Sequence, residues 1–591
     1  MINRTSVIWE IDTDCWALTG GGALGVLLQA FYFGPGRVHG VPSPLDGDKT
    51  VPFWWDHLGA QANMFGSAGF TALWIPPPLK GASGTFSNGY DQFDDYDLGD
   101  KDQKGTVPTR YGTREQLERC VALMRANGID VYVDLVENQR DGDDGHFNFE
   151  YVDAFGQAGK GRFPKGPGDF HPHVPEDPGV FDDAFQFGRD LAPINGVGHH
   201  VFDGLLAAGD WLARALDLQG FRMDDAKGVS TEFLVALLNH GALARKFAVG
   251  EFFDDNIGLI QSWMNATQHR SAALDFPLRF MLANMCNNPG GFDMSSLDHA
   301  GLSGVDPLGS VTFVENHDTD QGSPIVRNKM LAYAYVLTAE GYPSVFYRDY
   351  STDKNCFGLK PEIDPLIWVH EHLATGATVQ RWKDGGVFAF ERLGGGHLLV
   401  GLNKDSNERN IQVQTGFPPH TELMDFAGHG ARVTTNAASV ASITIPQNVN
   451  GRGYVCYARP AQVGPFSPKA IATTQDYEGA ADLDIKPAVE GTQVTVCRVF
   501  ADAQQEIQAE LFFDAAHWTG NTSIHLQLEE PGGGVAAQRA YSATTPQGTA
   551  VSFRTKQKGF HAFQIQSANT PAENKAPSYK LLVTYRAPQS M

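Results

Sequence analysis

The sequence predicts a TIM-type (β/α)8 barrel with a small domain inserted after its third strand, followed by two all-β domains. Eight short runs rich in β-branched and aromatic residues alternate with longer helical patterns over the first two-thirds of the chain. One interval between them is too long and too rich in Gly, Pro and Asp for a loop, and the helical pattern stops near residue 378.

The eight candidate strands lie at 25–33 (GVLLQAFYF), 70–76, 130–137, 220–225, 247–253, 272–277, 310–315 and 342–347. Helical segments fall between them, for example at 115–127, 201–216, 231–246, 328–340 and 365–375. Eight strands alternating with helices point to closure rather than an open sheet. The barrel is therefore expected over 1–138 and 201–377, with 139–200 inserted over its mouth. Runs at 387–392, 397–402, 410–414, 441–445 and 454–458 read as antiparallel strands of a domain over 378–459. The Pro-rich stretch 459–469 (RPAQVGPFSPK) reads as a linker. Beyond it, 470–591 reads as a β-sandwich, with strand-like runs at 493–499, 506–513, 523–528, 562–565 and 579–585. Its one tryptophan, Trp518, and Phe560, Tyr579 and Tyr585 are expected in its core rather than on a sugar-stacking surface.

A chain of 591 residues exceeds a single hydrophobic core, which agrees with several domains. Its formal charge of −23 argues against nucleic acid or anionic membranes as partners and suits a neutral substrate. The six cysteines show no metal-ligand spacing and read as free thiols. No run is long and apolar enough to span a bilayer. The apolar stretch 16–33 follows Glu10, Asp12 and Asp14 rather than basic residues, so its second half reads as a strand and not as an export signal. A cytoplasmic location follows for the chain as it stands, or a secreted one if a leader has been removed.

In such barrels the site lies at the carboxyl ends of the strands. Three acidic residues qualify: Asp224 ends the fourth strand (GFRMDDAKG), Glu251 the fifth (FAVGEFF), and Asp318 follows the seventh (FVENHD). A lone Asp at a strand end is more often a helix cap or a solvated carboxylate. Cleaving a glycosidic bond, however, needs a proton for the departing oxygen and a stabiliser for the cationic sugar. Two carboxyl groups with separated pKa values supply both.

The sequence resembles the α-amylase family of (β/α)8-barrel glycosidases. Four ordered motifs carry the resemblance: DLVENQ (134–139), GFRMDDAKG (220–228), GEFF (250–253) and FVENHD (313–318). The stretches 71–81 (TALWIPPPLKG) and 89–113 are similar to bacterial liquefying-type α-amylases, and 341–350 (GYPSVFYRDY) resembles the eighth strand of the family. The resemblance spans 25–459 and implies Asp224 as nucleophile, with Arg222 on the same strand face holding it ionised and oriented. It implies Glu251, with a raised pKa, as general acid and then base. Asp318 and His317 would contact the hydroxyls of the sugar under attack, Tyr90 would stack on it, and Lys227 would lie on the leaving-group side. Asn138 matches a calcium ligand. Its expected partners are Asp190 and the carbonyl of Gly228, and the ion would pin the insertion to the barrel.

Two positions depart from the family pattern, since Gln139 and Gly228 stand where histidines are usual. Gln139 can still donate to a sugar hydroxyl but cannot become cationic. Related glucan-transferring enzymes also carry Gln there. The resemblance therefore implies a retaining hydrolase of α-1,4-glucosidic bonds in starch-like glucans or maltooligosaccharides. The alternatives are an α-glucan transglycosylase working through the same intermediate and a non-catalytic glucan-binding protein. The last predicts loss of a catalytic carboxylate, and none is missing.

Overall fold

The computed structural model describes residues 25–34, 40–143, 147–152, 158–159, 161–181, 187–460, 471–479, 493–513, 521–546, 548–568 and 579–591. Eight parallel strands close into a barrel: β1 (Leu27–Gln29), β2 (Ala72–Ile75), β3 (Asp130–Leu135), β4 (Gly220–Met223), β5 (Phe247–Gly250), β6 (Ala272–Leu274), β7 (Ser310–Phe313) and β8 (Tyr342–Phe346). The order around the barrel is β1-β8-β7-β6-β5-β4-β3-β2, so each strand pairs with its neighbours in sequence. All eight lie inside the runs expected for them. The ends of those runs, where the acidic residues sit, have left the ladder. Both faces of the strands are covered, which explains why the runs are almost continuously apolar instead of alternating.

The surrounding helices include α1 (Trp54–Ala68), α2 (Arg114–Ala126), α3 (His200–Ala215), α4 (Thr231–Leu238), α5 (Ile257–Ala266) and α6 (Phe276–Asn287). Helix α2 starts at a reciprocal capping box between Thr113 and Gln116, and α6 is capped by Asp275, whose carboxylate accepts from Leu278 N–H. The helix expected over 231–246 is shorter. It ends at Leu238, and a separate 3-10 turn, Gly241–Leu243, follows. Gly241 adopts a φ of 46°, a left-handed value at which an α-helix cannot continue. The last barrel helix begins earlier than expected, at Lys360, and takes Pro365 into its interior.

Between β3 and α3 the described residues hold one small antiparallel pair, Gln139–Arg140 with Arg189–Asp190, two 3-10 turns, Pro167–Asp169 and Val197–His199, and two isolated bridges, Val152 to Ala158 and Phe170 to Leu191. Two devices hold this segment. The rings of Phe149 and Phe170 stack 5.8 Å apart and pack into the same apolar cluster as the barrel. Beneath them Asp95 lies between Arg140, at 2.7 Å, and Lys165. Despite its burial these two cations hold the Asp95 carboxyl at about 2.

Past residue 377 lie a six-stranded sheet and a separate two-stranded sheet, Arg409–Gln414 with Val440–Ile445. Two four-stranded antiparallel sheets then form the terminal unit. Its strands alternate inward apolar and outward polar residues, as in Glu506–Phe513. Tyr579 and Tyr585 are buried in it, while Trp518 and most of the Pro-rich stretch lie outside the described residues. Phe560 differs from expectation. Its half-buried ring packs on Phe500 and carries the guanidinium of Arg119, from α2, at 4.7 Å.

That contact is part of a wider seam. The strands Thr473–Gly479 and Val494–Ala501 are edges of their two sheets, and both run against α2. Ala122 and Ala126 of α2 complete the apolar core of the sandwich. Around them Ile471 N–H donates to Arg125 O at 2.8 Å and the Asn127 amide donates to Gln589 O at 2.9 Å. The barrel thereby covers edges that would otherwise expose unpaired backbone. Deleting the chain beyond residue 460 is expected to lower the melting temperature by about 3 °C, the shift that on the order of 2 kcal/mol gives in a domain this large. Differential scanning calorimetry measures the shift. Amide hydrogen exchange should show protection lost from α2 before other helices.

No helix among the described residues is long and apolar enough to cross a membrane. Cys120, Cys286, Cys456 and Cys497 are buried thiols outside any disulfide, and Cys356 is a partly exposed one.

Candidate active site

Arg222 organises the site. It lies in β4, beside Asp134 of β3 in the register, and is almost wholly buried. Its Nη1 donates to Asp134 Oδ1 at 2.7 Å and to Asp224 Oδ1 at 2.5 Å, and its Nη2 pairs with Glu251. Arg222 and Asp224 share a face because strand side chains alternate with period two. Asp224 and Glu251 stand just past the ends of adjacent strands, so both carboxyl groups reach one guanidinium.

The electrostatics separate the acidic groups. Burial pushes the Glu251 carboxyl well above the ordinary glutamate range. Arg222 opposes that shift, and the negative charges of Asp318, Asp224 and Asp225 add to it. Burial also raises Asp134, to about 7, against the pull of Arg222. Asp134 accepts two further hydrogen bonds, since its Oδ2 takes Tyr90 Oη–H at 2.8 Å and Trp74 Nε1–H at 3.1 Å besides the guanidinium on Oδ1.

His317 is buried among Phe31, Phe33 and Tyr90, whose ring stacks on it at 5.5 Å. Burial, with the nearby Arg222 charge, holds the imidazole well below its usual pKa, so it is neutral. The Gln29 amide donates to Nδ1 at 2.8 Å. That leaves the proton on Nε2, which faces Tyr90 Oη at 2.9 Å and Asp318 Oδ2 at 3.1 Å. A turn aims this pair, because Asn316 Oδ1 accepts the N–H groups of both Asp318 and Thr319.

The three candidate carboxylates, Tyr90, Gln139 and His317 all line one cleft of about 400 Å³. Arg222 lies below its floor. Gln139 donates to the Tyr90 carbonyl at 3.1 Å, and its second amide hydrogen stays available for a ligand. Lys227 is not among the cleft residues, because its ammonium pairs with Asp254 at 2.8 Å over the Phe252 ring. Phe187 and Phe253, 43% and 47% exposed, add apolar walls.

The three expected metal ligands also meet. The Asn138 amide donates to Asp190 Oδ1 at 3.1 Å, and a Cβ on Gly228 would come within 2.5 Å of Asn138 Oδ1. The donors are one carboxylate, one amide and one backbone carbonyl. Among the described residues no group of three or more His, Cys, Asp or Glu side chains gathers around a metal-sized space.

Asp134, Trp74 and Gln29 belong to the site although the sequence assigns them no role. Asp134 opens the motif DLVENQ. Gln29 gave a signal of its own, as one polar residue in the middle of the apolar run GVLLQAFYF.

No protein-family model matches the sequence. Curated relatives do. The chain is 31% identical over 391 residues to a glucan 1,4-α-maltohexaosidase of Bacillus sp. (strain 707), covering 56% of this chain and 74% of that one. It is 31% identical over 381 residues to an α-amylase of Bacillus licheniformis, covering 55% and 74%. The chain belongs to the α-amylase family. Among solved structures, the α-amylase of Geobacillus thermoleovorans complexed with acarbose superposes with a TM-score of 0.53 at 17% identity, over 74% of this chain and 99% of that chain. That likeness concerns the fold. As a member of the α-amylase family the protein is an enzyme, a glycoside hydrolase.

Proposed function

We propose that this protein hydrolyses α-1,4-glucosidic bonds in starch-like glucans or maltooligosaccharides with retention of anomeric configuration. The observation that carries the reading is the single guanidinium of Arg222 joining Asp224 and Glu251 at the floor of one cleft. A shared anchor suits the close carboxyl pair of a double displacement, roughly 5–5.5 Å, better than the wider pair that must admit a water between them.

In the first half-reaction Asp224 attacks the anomeric carbon while Glu251 gives its proton to the glycosidic oxygen, and the bond between that carbon and that oxygen breaks. Esterified Asp224 no longer bears a negative charge, so one contribution raising the Glu251 pKa disappears and Glu251 can act as base. Water then loses a proton to Glu251, attacks the same carbon and frees Asp224. Asp318 and the Nε2–H of His317 would hold hydroxyls of the sugar under attack, with Tyr90 against its ring. Buried Asp134 would keep Arg222 in place. Incubation with maltooligosaccharides of defined length tests the reading. Only shorter products, released first as the α-anomer, are expected; longer products would mean transfer to sugar in place of water.

A calcium ion would fit between Asn138, Asp190 and the Gly228 carbonyl, a set of hard oxygen donors drawn from the barrel and the inserted segment. When bound it would supply a cross-link between the two. These residues contribute part of the usual six to eight ligands, and water would complete the shell. Chelation is expected to lower the melting temperature, with a stability loss of about 2.7 kcal/mol if the ion had been at a hundredfold its dissociation constant. An unchanged transition after verified metal removal would count against the site. The domain limits we propose are 1–138 with 201–377, 139–200, 378–459 and 470–591.

A further inference from the structure

Asp225 follows the candidate nucleophile directly and lines the same cleft. Its backbone is left-handed, with φ of 37°, a region that Asp, Asn and Gly enter at least cost. This turn folds the chain back on the candidate acid. Asp225 N–H donates to Glu251 Oε2 at 3.3 Å, and Ala226 N–H donates to Glu251 O at 3.1 Å.

The placement decides what Asp225 meets. On the proposed function Tyr90, His317 and Asp318 would hold the sugar whose carbon is attacked, and they form one interlinked group. The turn after Asp224 packs against the candidate acid and the inserted segment. It is tied to the inserted segment by Phe181 N–H donating to Lys227 O at 2.8 Å and by Ser230 Oγ–H donating to Pro178 O at 2.8 Å. Exposed Phe253, two residues past Glu251, stands on the acid's own strand end in the same cleft. A departing sugar must lie beside the acid that protonates its oxygen.

We propose that Asp225 determines leaving-group specificity by accepting hydrogen bonds from hydroxyls of the departing sugar. This rests on Glu251 being the acid. A carboxylate offers about four acceptor positions and no donor, which matches a vicinal pair of hydroxyls and gains nothing from a leaving group without them. Phe253 would supply an apolar surface for either kind of leaving group, so the discrimination falls to Asp225.

The test compares two substrates. One is a maltooligosaccharide, whose leaving group is a sugar. The other is a 4-nitrophenyl maltooligoside cleaved at its aryl bond, whose leaving group has no hydroxyls to donate. Asp225→Gly and Asp225→Asn both accommodate the left-handed backbone, so the fold is not the variable. The ratio of kcat/KM for the sugar to that for the aryl leaving group is expected to fall by about 10- to 100-fold in Asp225→Gly, the range for loss of hydrogen bonds to a charged group. Asp225→Asn, which keeps one acceptor oxygen, should fall between Gly and the parent. An unchanged ratio overturns the proposal, whether both substrates are lost equally or neither is lost. Glu251→Gln, measured beside them, separates the two assignments. If it turns over maltooligosaccharides as fast as the parent, the acid assignment fails. If it is inactive on them while the Asp225 ratio stays constant, only the role of Asp225 fails.

Discussion

Asp224→Asn is expected to reduce turnover of soluble starch by at least about 10,000-fold, the scale on which removing a nucleophile acts. Asn is nearly the same size and cannot form a glycosyl ester under these conditions. The fold should survive, because Arg222 keeps Asp134 and Glu251 as partners. Matched thermal transitions would show that loss of activity is not loss of structure. Undiminished activity in the variant would refute the nucleophile assignment and with it the double displacement.

Glu251→Gln should act differently. The loss on glucan is expected at about 100- to 10,000-fold, the usual contribution of a general acid, and the pH dependence should change shape. In the parent protein Glu251 is raised well above the glutamate range, by burial first and then by Asp318, Asp224 and Asp225. It holds its proton below that raised pKa, so kcat/KM should decline as pH rises through it. The Gln variant has no such proton to lose, and its residual kcat/KM should lack this limb. A limb that persists unchanged would assign the titration to another group. Stability follows the same sign. A carboxyl raised on folding contributes fully below the ordinary glutamate pKa, and its contribution is lost as pH rises through the raised value.

Much of this was legible in the sequence because the strands carry their own signature. A strand buried on both faces reads as an apolar run, so Asp224 and Glu251 stand out as acidic residues at strand ends, and the resemblance of the motifs around them to the family singles them out. Helix limits were less legible. The break at Asn239–Gly241 lies in the extended backbone of His240 followed by the left-handed Gly241, and the pattern of apolar residues continues through it. Lys227 shows another limit. Its place inside the motif GFRMDDAKG implies a residue on the leaving-group side, but a pairing with Asp254, 27 positions away, engages the ammonium. Spacing cannot reveal that competition. The convergence of Asp134, Trp74 and Gln29 on Tyr90 and His317 was hidden for the same reason, since it depends on barrel closure bringing β1, β2 and β3 together.

The sandwich seated on α2 bears on how the molecule is made. Asn127 and Gln589 are 462 positions apart, so this helix emerges from the ribosome long before the strands that cover its outer alanines exist. Throughout synthesis of the intervening chain, one side of the nascent barrel stays open to chaperones or to neighbouring chains. Contacts separated so far in sequence form late and slowly. Strands beyond residue 470 complete the burial of a helix translated more than 300 residues earlier.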